Sequence, residues 1–384
     1  MLNIRKFMRK IQMVDLVSQY QKIQEEIDSA VLNVIRSSAY INGPEVKEFQ
    51  KELEAYLGAK HVIPCANGTD ALQIAMMGLG LKPGDEVITA TFTFVATAEV
   101  IALLGLKPVL VDVDPDTFNI DPVQVKEAIT PKTKAIVPVH LFGQCANMDE
   151  IMDIAKKYNL FVIEDTAQAI GASYTSHTGS VKKAGTIGHV GATSFFPSKN
   201  LGCFGDGGAI FTNDDALAER MRMIVNHGMK VRYYHDEIGV NSRLDSIQAA
   251  VLRCKLPHLD AYNTARQAAA EFYDSAFSKS PYIETPVKAS NSTHVYHQYT
   301  LKLKGVNRAD LIEYLNGKGV PAMIYYPVPL HMQKAYQDER YNSGDFPVAE
   351  KLADQVLSLP MQTELDEEQL EFITSSILEY LENQ

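Results

Sequence analysis

Three short stretches hold residue types able to do chemistry. In SFFPSKNLG, residues 194–202, Lys199 stands alone after two aromatics and a proline. A loop lysine is ordinarily a solvated surface residue. The flanks of this one, GATSFF and GGAIFT, have the composition of buried strands. Desolvation between them would lower the amine's pKa and make it nucleophilic, as a Schiff-base lysine must be. Asp165 closes the apolar run LFVIED. A carboxylate buried there needs a cationic partner or several donors to stay ionised, although a helix N-cap would use the same residue. The third stretch, ANGTDAL, sets Asn67, Gly68, Thr69 and Asp70 between the run HVIPC and a helical pattern over 70–80. Free first-turn amides and the Thr69 hydroxyl there suit a phosphate. A plain capping turn has the same residues, and Asp70 fits an anion only through its amide.

The elements that must position these residues alternate along the chain. After His61, the β-rich runs VIPC, EVITAT, PVLVDV, KAIVPV and LFVIE are separated by helical patterns at 70–80, 122–129 and 147–157. Such alternation predicts an α/β protein with a mainly parallel sheet and helices on both faces. In open sheets of this kind ligands gather at the carboxyl ends of the strands, where all three stretches fall. Upstream, Ile23, Ile27, Val31 and Ile35 predict a helix within 19–36, and Gly43-Pro44 opens another; together they form an N-terminal arm. The segment 171–190, rich in Ser, Thr, Gly and Lys, is expected to be a loop. Pro257 in KLPHLD marks a boundary. The expected organisation is an extension over 1–12, an arm and large domain over 13–256, and a smaller α+β domain over 257–384.

Composition narrows the function classes. A net charge of −11 opposes a broad nucleic-acid footprint, while an anionic small ligand could still be held by local donors. Cys65, Cys145, Cys203 and Cys254 are too dispersed for a zinc site or a disulfide framework, and reduced buried thiols imply a reducing compartment. No metal site is expected. No run approaches the ~20 apolar residues of a membrane span, and the N-terminus lacks a signal-peptide core, so a cytoplasmic protein without a membrane span is expected. Arg5, Lys6, Arg9 and Lys10 are expected to belong to a solvated extension, wholly or partly upstream of a natural start at Met8 or Met13, with a membrane-surface helix as the alternative.

Phosphate donors at one strand end, an acid at another and a nucleophilic amine at a third match the parts of one cofactor. Pyridoxal 5'-phosphate has a phosphate, a ring nitrogen that withdraws electrons only when protonated, and an aldehyde that condenses with an amine. CANGTDAL, TFTFVATAE, VIEDTAQAIGASY, TSFFPSKNLGCFGDGGAIFTND and GVNSRLDSIQAA occur in this order. From about VDLVSQY to the last helix, the chain resembles the DegT-type sugar aminotransferases. The resemblance implies an aspartate aminotransferase-like fold (fold type I) with a mainly parallel seven-stranded sheet, helices on both faces and a smaller C-terminal α+β domain. It implies that Lys199 forms the Schiff base and shuttles a proton, that Asp165 keeps the pyridine nitrogen protonated, that Phe94 stacks on the ring and that Gln168 lies near its phenolic oxygen. The phosphate would fall to the Gly68–Asp70 turn, chiefly Gly68 and Thr69, with Ser194 and with Asn241 from a second copy, which implies a homodimer with shared active sites.

Within that family, CANGTDALQI, TSFFPSK, GVNSRLD, QYT and YPVPL most resemble enzymes that aminate a UDP-linked 2-acetamido-3-keto-uronate with L-glutamate for surface polysaccharides. Tyr40, Ser198, Arg243 and Tyr326 would then contact the nucleotide sugar, with Arg243 open either to its carboxylate or to a salt bridge with Asp245. Tyr325 stands where relatives often have histidine and Ser38 where glycine is usual, so both are expected to shape the sugar pocket. A dTDP- or GDP-linked keto-6-deoxyhexose is the nearer alternative, and a non-catalytic cofactor-binding regulator the farther one. GCFGDGG raises a nucleotide-loop reading, but no G-K-[ST] or G-x-G-x-x-G context accompanies it. His189 and His227 are expected to be core or cap histidines rather than acid/base groups.

Overall fold

The computed structural model describes residues 9–383, so Arg5 and Lys6 lie outside the described residues. The N-terminal arm is two helices, α1 (Leu16–Lys22) and α2 (Gln24–Ser37), interrupted at Ile23, whose φ of −129° is not helical. Helix α3 (Pro44–Leu57) starts with proline, whose missing N–H costs nothing in a first turn.

The main sheet then builds as β1 (His61–Cys65), α4 (Gly68–Gly78), β2 (Glu86–Ala90), α5 (Ala96–Leu103), β3 (Lys107–Val111), α6 (Pro122–Glu127), β4 (Thr133–Val137), α7 (Met148–Tyr158) and β5 (Phe161–Asp165). A hairpin of β6 (Ser173–Thr175) and β7 (Val181–Lys183) follows, then β8 (Val190–Ser194), β9 (Gly208–Thr212) and α8 (Asp215–Ile224). The strand order is β1-β9-β8-β5-β4-β2-β3. Only β9 runs against its neighbours. The sheet is therefore seven-stranded and mostly parallel, as expected. The segment 171–190 departs from the expected loop: Ser173 to Thr175 pairs with Lys183 to Val181 around a Gly179 turn at φ +82°.

One face of the sheet packs on α4 and α8 through Ile63, Ile74, Val137, Ile163, Ile210 and Met221, all buried. On the other face Phe49, Leu53, Phe195, Phe211 and Leu252 join α3 to helix α9 (Ser246–Lys255), which follows the small hairpin β10 (Met229–Val231) and β11 (Tyr234–His235). Apolar cover on both faces is what lets parallel strands be apolar along their whole length.

Helix α10 (Leu259–Phe277) leads into a second, smaller unit. It consists of β12 (Ile283–Glu284), β13 (Tyr299–Leu303), α11 (Arg308–Lys318), α12 (Pro347–Gln355), β14 (Val356–Leu359) and α13 (Glu367–Glu382), with an antiparallel sheet β12-β13-β14. Its core of Tyr273, Tyr299, Leu301, Leu315, Leu357 and Ile373 also takes in Ile11. The first described residues are thus tied down. Arg9, expected to be solvated, bonds Asp366 and Ser18 and the Glu364 carbonyl. Among the described residues no helix is long and apolar enough to cross a membrane, and all four cysteines are buried and unpaired.

Candidate active site

Strand ends β1, β5 and β8 lie side by side with the start of β9, so Asn67, Asp165 and Ser194 meet at one sheet edge. Above that edge is a cavity of about 580 Å³, lined among others by Gly68, Phe94, Asp165, Gln168, Lys199 and Tyr326. Thr69, Asp70, Ser194, Ser198 and Tyr325 also line it. Eleven of the fifteen expected site residues therefore share one enclosure.

The turn expected to take a phosphate is set by Asn67, whose side chain caps α4 by accepting the Asp70 amide at 2.8 Å. That bond corrects the expectation for Asp70: its amide is already used within the helix cap. The amides of Gly68 and Thr69, in the first turn, have no intrahelical acceptor, as in any helix. Gly68 lies against Ser194 so closely that a Cβ would stand 2.6 Å from the Ser194 Cβ. The Ser194 hydroxyl accepts the Phe196 amide at 3.2 Å.

Asp165 is buried. Its Oδ2 accepts the Thr97 hydroxyl at 2.8 Å and its Oδ1 the Ala167 amide at 3.1 Å. Burial still pushes this carboxyl above its ordinary range, against the pull of those two bonds and of the Lys199 charge. Lys199 is half-buried, and desolvation lowers its amine to about 8, with Asp165 pulling the other way. Gln168 is fixed at both ends of its amide: Oε1 accepts the Phe142 amide at 2.8 Å and Nε2 donates to the Tyr326 hydroxyl at 3.0 Å. The Phe94 ring, half exposed, lies 6.2 Å from that of Tyr326.

Four expected residues lie elsewhere. Asn241 and Arg243 are outside the cavity of the single chain, on a segment bridged to Asn226 and Ile41. Arg243 makes no ion pair among the described residues, so the salt bridge to Asp245 is not formed. Tyr40 is exposed and its hydroxyl donates to the Ile35 carbonyl at 3.2 Å. Ser38 caps α2 at φ 55°, which corrects the reading of its departure from glycine: a left-handed cap favours glycine whatever binds nearby. His189 accepts the Val162 amide at 3.0 Å and His227 sits at φ 59°, both in structural positions.

Some residues of the site had no local signal. Thr97 reaches Asp165 from the first turn of α5, behind the cavity wall, and Asp206 enters just before the reversed strand β9. His297 and Gln298 come from the small unit, just before β13.

These residues fit pyridoxal phosphate. Asp165 is a buried acid lacking a contact cation, which a ring N–H⁺ supplies. Gly68 and Thr69 present free amides beside a position where only a glycine leaves room, and Lys199 offers an amine already depressed toward neutrality. A lysine and a buried aspartate in one cavity at the edge of a seven-stranded, mostly parallel sheet define a pyridoxal phosphate-dependent enzyme of fold type I. The chain belongs to the DegT/DnrJ/EryC1/StrS aminotransferase family, which matches residues 21–378. It is 49% identical over 367 residues to UDP-2-acetamido-2-deoxy-3-oxo-D-glucuronate aminotransferase of Pseudomonas aeruginosa, covering 96% of this chain and 99% of the relative. It is 48% identical to a protein of Geobacillus stearothermophilus named a pleiotropic regulatory protein, covering 96% and 98%. The crystal structure of Streptomyces venezuelae DesV with a ketimine intermediate superposes with a TM-score of 0.93 at 41% identity, covering 98% of this chain and 99% of that one.

Proposed function

We propose that this aminotransferase transfers the amino group of L-glutamate to a UDP-linked 2-acetamido-3-keto-hexuronate, on the way to a diamino-uronic acid of a surface polysaccharide. Bound pyridoxal phosphate supplies the aldehyde that accepts an amine and the protonated ring that withdraws electrons. The chain's residues do the rest. Asp165, held by Thr97 and Ala167, would keep a proton on the ring nitrogen, and Gly68, Thr69 and Ser194 would hold the phosphate. Phe94 and Gln168 would contact the ring, at its face and near its phenolic oxygen. Lys199, with an amine near 8, holds or gives up a proton at Nζ close to working pH, the condition for efficient general acid/base work.

The observation that carries the reading is this amine sharing one cavity with a buried acid. It also weighs against the regulatory reading that the Geobacillus relative's name invites, because a non-catalytic binder has no need of a desolvated lysine. The sugar is drawn from the Pseudomonas relative. Ser198, Tyr325 and Tyr326 would flank it, with Tyr40 at the margin. A second copy of the chain would bring Asn241 to the phosphate and Arg243 to the uronate carboxylate, in a cytoplasmic homodimer. The exposed Tyr233, Tyr234 and Ile238, just before Asn241, support such an interface. The test is a panel of keto nucleotide sugars with glutamate, read as 2-oxoglutarate release. Turnover of the UDP-3-keto-uronate well above dTDP- and GDP-linked keto-6-deoxyhexoses is expected. The reverse order refutes the substrate, and no release with any sugar refutes the donor or the enzyme reading.

A further inference from the structure

Tyr325 and Tyr326 ride on a span pinned at both ends. At its start Met323 and Ser358 exchange backbone bonds of 3.0 and 2.7 Å, which fix it to β14 of the small sheet. At its end the Leu330 amide donates to the Thr91 carbonyl at 2.8 Å, next to the last residue of β2 in the large sheet. Pro327 and Pro329 stiffen the stretch between.

The second pin is reinforced by a chain of side chains. The His331 amide donates to Thr91 Oγ1 at 3.3 Å, and Thr91 Oγ1 lies 2.9 Å from His331 Nδ1. The Glu350 carboxylate, its Oε1 3.1 Å from Nε2, can only accept and so holds the ring hydrogen there, which leaves Nδ1 of the neutral ring to accept the Thr91 hydroxyl. Glu350 is in turn held by the Gly344 amide at 2.7 Å and the Ser343 hydroxyl at 3.2 Å. The Phe346 ring closes over the imidazole, with centroids 4.6 Å apart. A hydroxyl, an imidazole and a carboxylate in this order have the makings of a nucleophile relay, but Thr91 is wholly buried and faces no substrate. What the chain joins is the pocket wall. Phe92 follows Thr91 directly and Phe94 stands two residues further on, each ring 6.2 Å from that of Tyr326, and Tyr326 accepts the bond from Gln168.

We propose that Thr91, His331 and Glu350 are positioning residues, a lock between the two sheets that fixes Tyr326 and, through it, Gln168. The proposal rests on the placement of the cofactor's phenolic oxygen at Gln168 given above. With the side-chain bonds gone, only the Leu330 amide on the Thr91 carbonyl holds that end, so the span loosens and Tyr326 loses its fixed place at Gln168 and with it that side of the cofactor's pocket.

The experiment follows pyridoxal phosphate release from the loaded enzyme after dilution, by its absorbance, in Thr91→Val, Thr91→Ser, Tyr326→Phe and the Thr91→Val/Tyr326→Phe double variant. Thr91→Val keeps the shape and removes the hydroxyl; Thr91→Ser keeps the hydroxyl. Thr91→Val and Tyr326→Phe are each expected to speed release about tenfold, the weight of one buried hydrogen bond, and Thr91→Ser to stay near wild type. The double variant should release no faster than the faster single one, because both remove the same restraint. Multiplying effects overturn the proposal, as does wild-type release in either single variant. If Thr91→Val does not fold, His331→Asn enters the same cycle. A substrate panel without sugar amination, alongside an intact coupling in this cycle, would remove the substrate reading and leave the lock standing.

Discussion

The Thr97 hydroxyl donates to Asp165 Oδ2 at 2.8 Å, joining the first turn of α5 to the last residue of β5. Burial raises the Asp165 pKa and this bond lowers it, so Thr97 helps keep the negative charge that the proposed role of Asp165 requires. Removing the hydroxyl therefore raises the pKa, and the carboxylate is lost at a higher pH as the solution is acidified. In Thr97→Val the acid limb of the kcat/KM profile should move to higher pH, and Thr97→Ser should restore it. An unmoved limb in Thr97→Val would show that the ring proton does not depend on Asp165 ionisation in this range.

Lys199 sets a cost in stability against its reactivity. Its amine is lowered to about 8 by desolvation, against an ordinary value near 10.4. Without cofactor, the folded protein carries a poorly solvated charge at pH below about 8. That cost fades as pH rises from about 8 toward about 10.4, where both states lose the proton. Lys199→Met should thus stabilise the apoprotein at pH 7 by on the order of 1–2 kcal/mol, allowing for partial solvent access and the lost attraction to Asp165. The gain should shrink toward pH 10. Thermal melts across this range check the sign, and the same variant should show no yellow Schiff-base absorbance with pyridoxal phosphate.

What the sequence disclosed follows from how local each signal is. Asn67 to Thr69, Asp165 and Lys199 each sit at the end of an apolar run, so strand periodicity alone placed them at one sheet edge. Thr97 and Gln168 act through partners 68 and 158 residues away, and no periodicity announces such a pair. The hairpin in 171–190 was hidden because its three-residue strands are too short and polar to show alternation. At Ser38 the left-handed cap angle accounts for a glycine preference without the pocket, and no residue pattern announces a backbone angle.

At Gly68 the geometry makes a steric prediction. A Cβ there would meet Ser194 Cβ at 2.6 Å and its Cα at 3.2 Å, and the second atom belongs to the backbone end of β8. Gly68→Ala must therefore move the phosphate turn away from β8. It should weaken pyridoxal phosphate binding by about ten- to a hundredfold while the circular dichroism spectrum stays native. Ser194→Ala, which removes one hydroxyl and no space, should cost less. Equal affinity in Gly68→Ala and wild type would place the phosphate elsewhere.

Ser38 separates backbone strain from recognition. Its φ of 55° and ψ of 16° close α2, and an L-residue in that region is disfavoured relative to glycine. Ser38→Gly should raise stability by about 0.5–1 kcal/mol in urea unfolding. Its side chain is exposed and outside the cavity, so the sugar KM should stay within about twofold of wild type. A large KM change with no change in stability would return Ser38 to the sugar pocket.

The role proposed for Arg243 turns on the sugar's charge. Its segment is fixed by backbone bonds, with the Ser242 amide on the Val225 carbonyl at 3.0 Å, and the Ser242 hydroxyl holds the Ala66 amide at 3.1 Å beside the phosphate turn. Among the described residues its own guanidinium pairs with no carboxylate, which leaves its planar fork free for one. Charge-assisted hydrogen bonds to a carboxylate are worth roughly 1.5–3 kcal/mol. Arg243→Ala should then raise the KM for a keto-uronate by about ten- to a hundredfold and that for a neutral 6-deoxy keto sugar by no more than about threefold. Arg243→Lys should recover part of the difference, because it keeps the charge and loses the fork. Equal losses on the two sugars, measured side by side by 2-oxoglutarate release, would mean that Arg243 supports the fold of the pocket and does not bind the carboxylate.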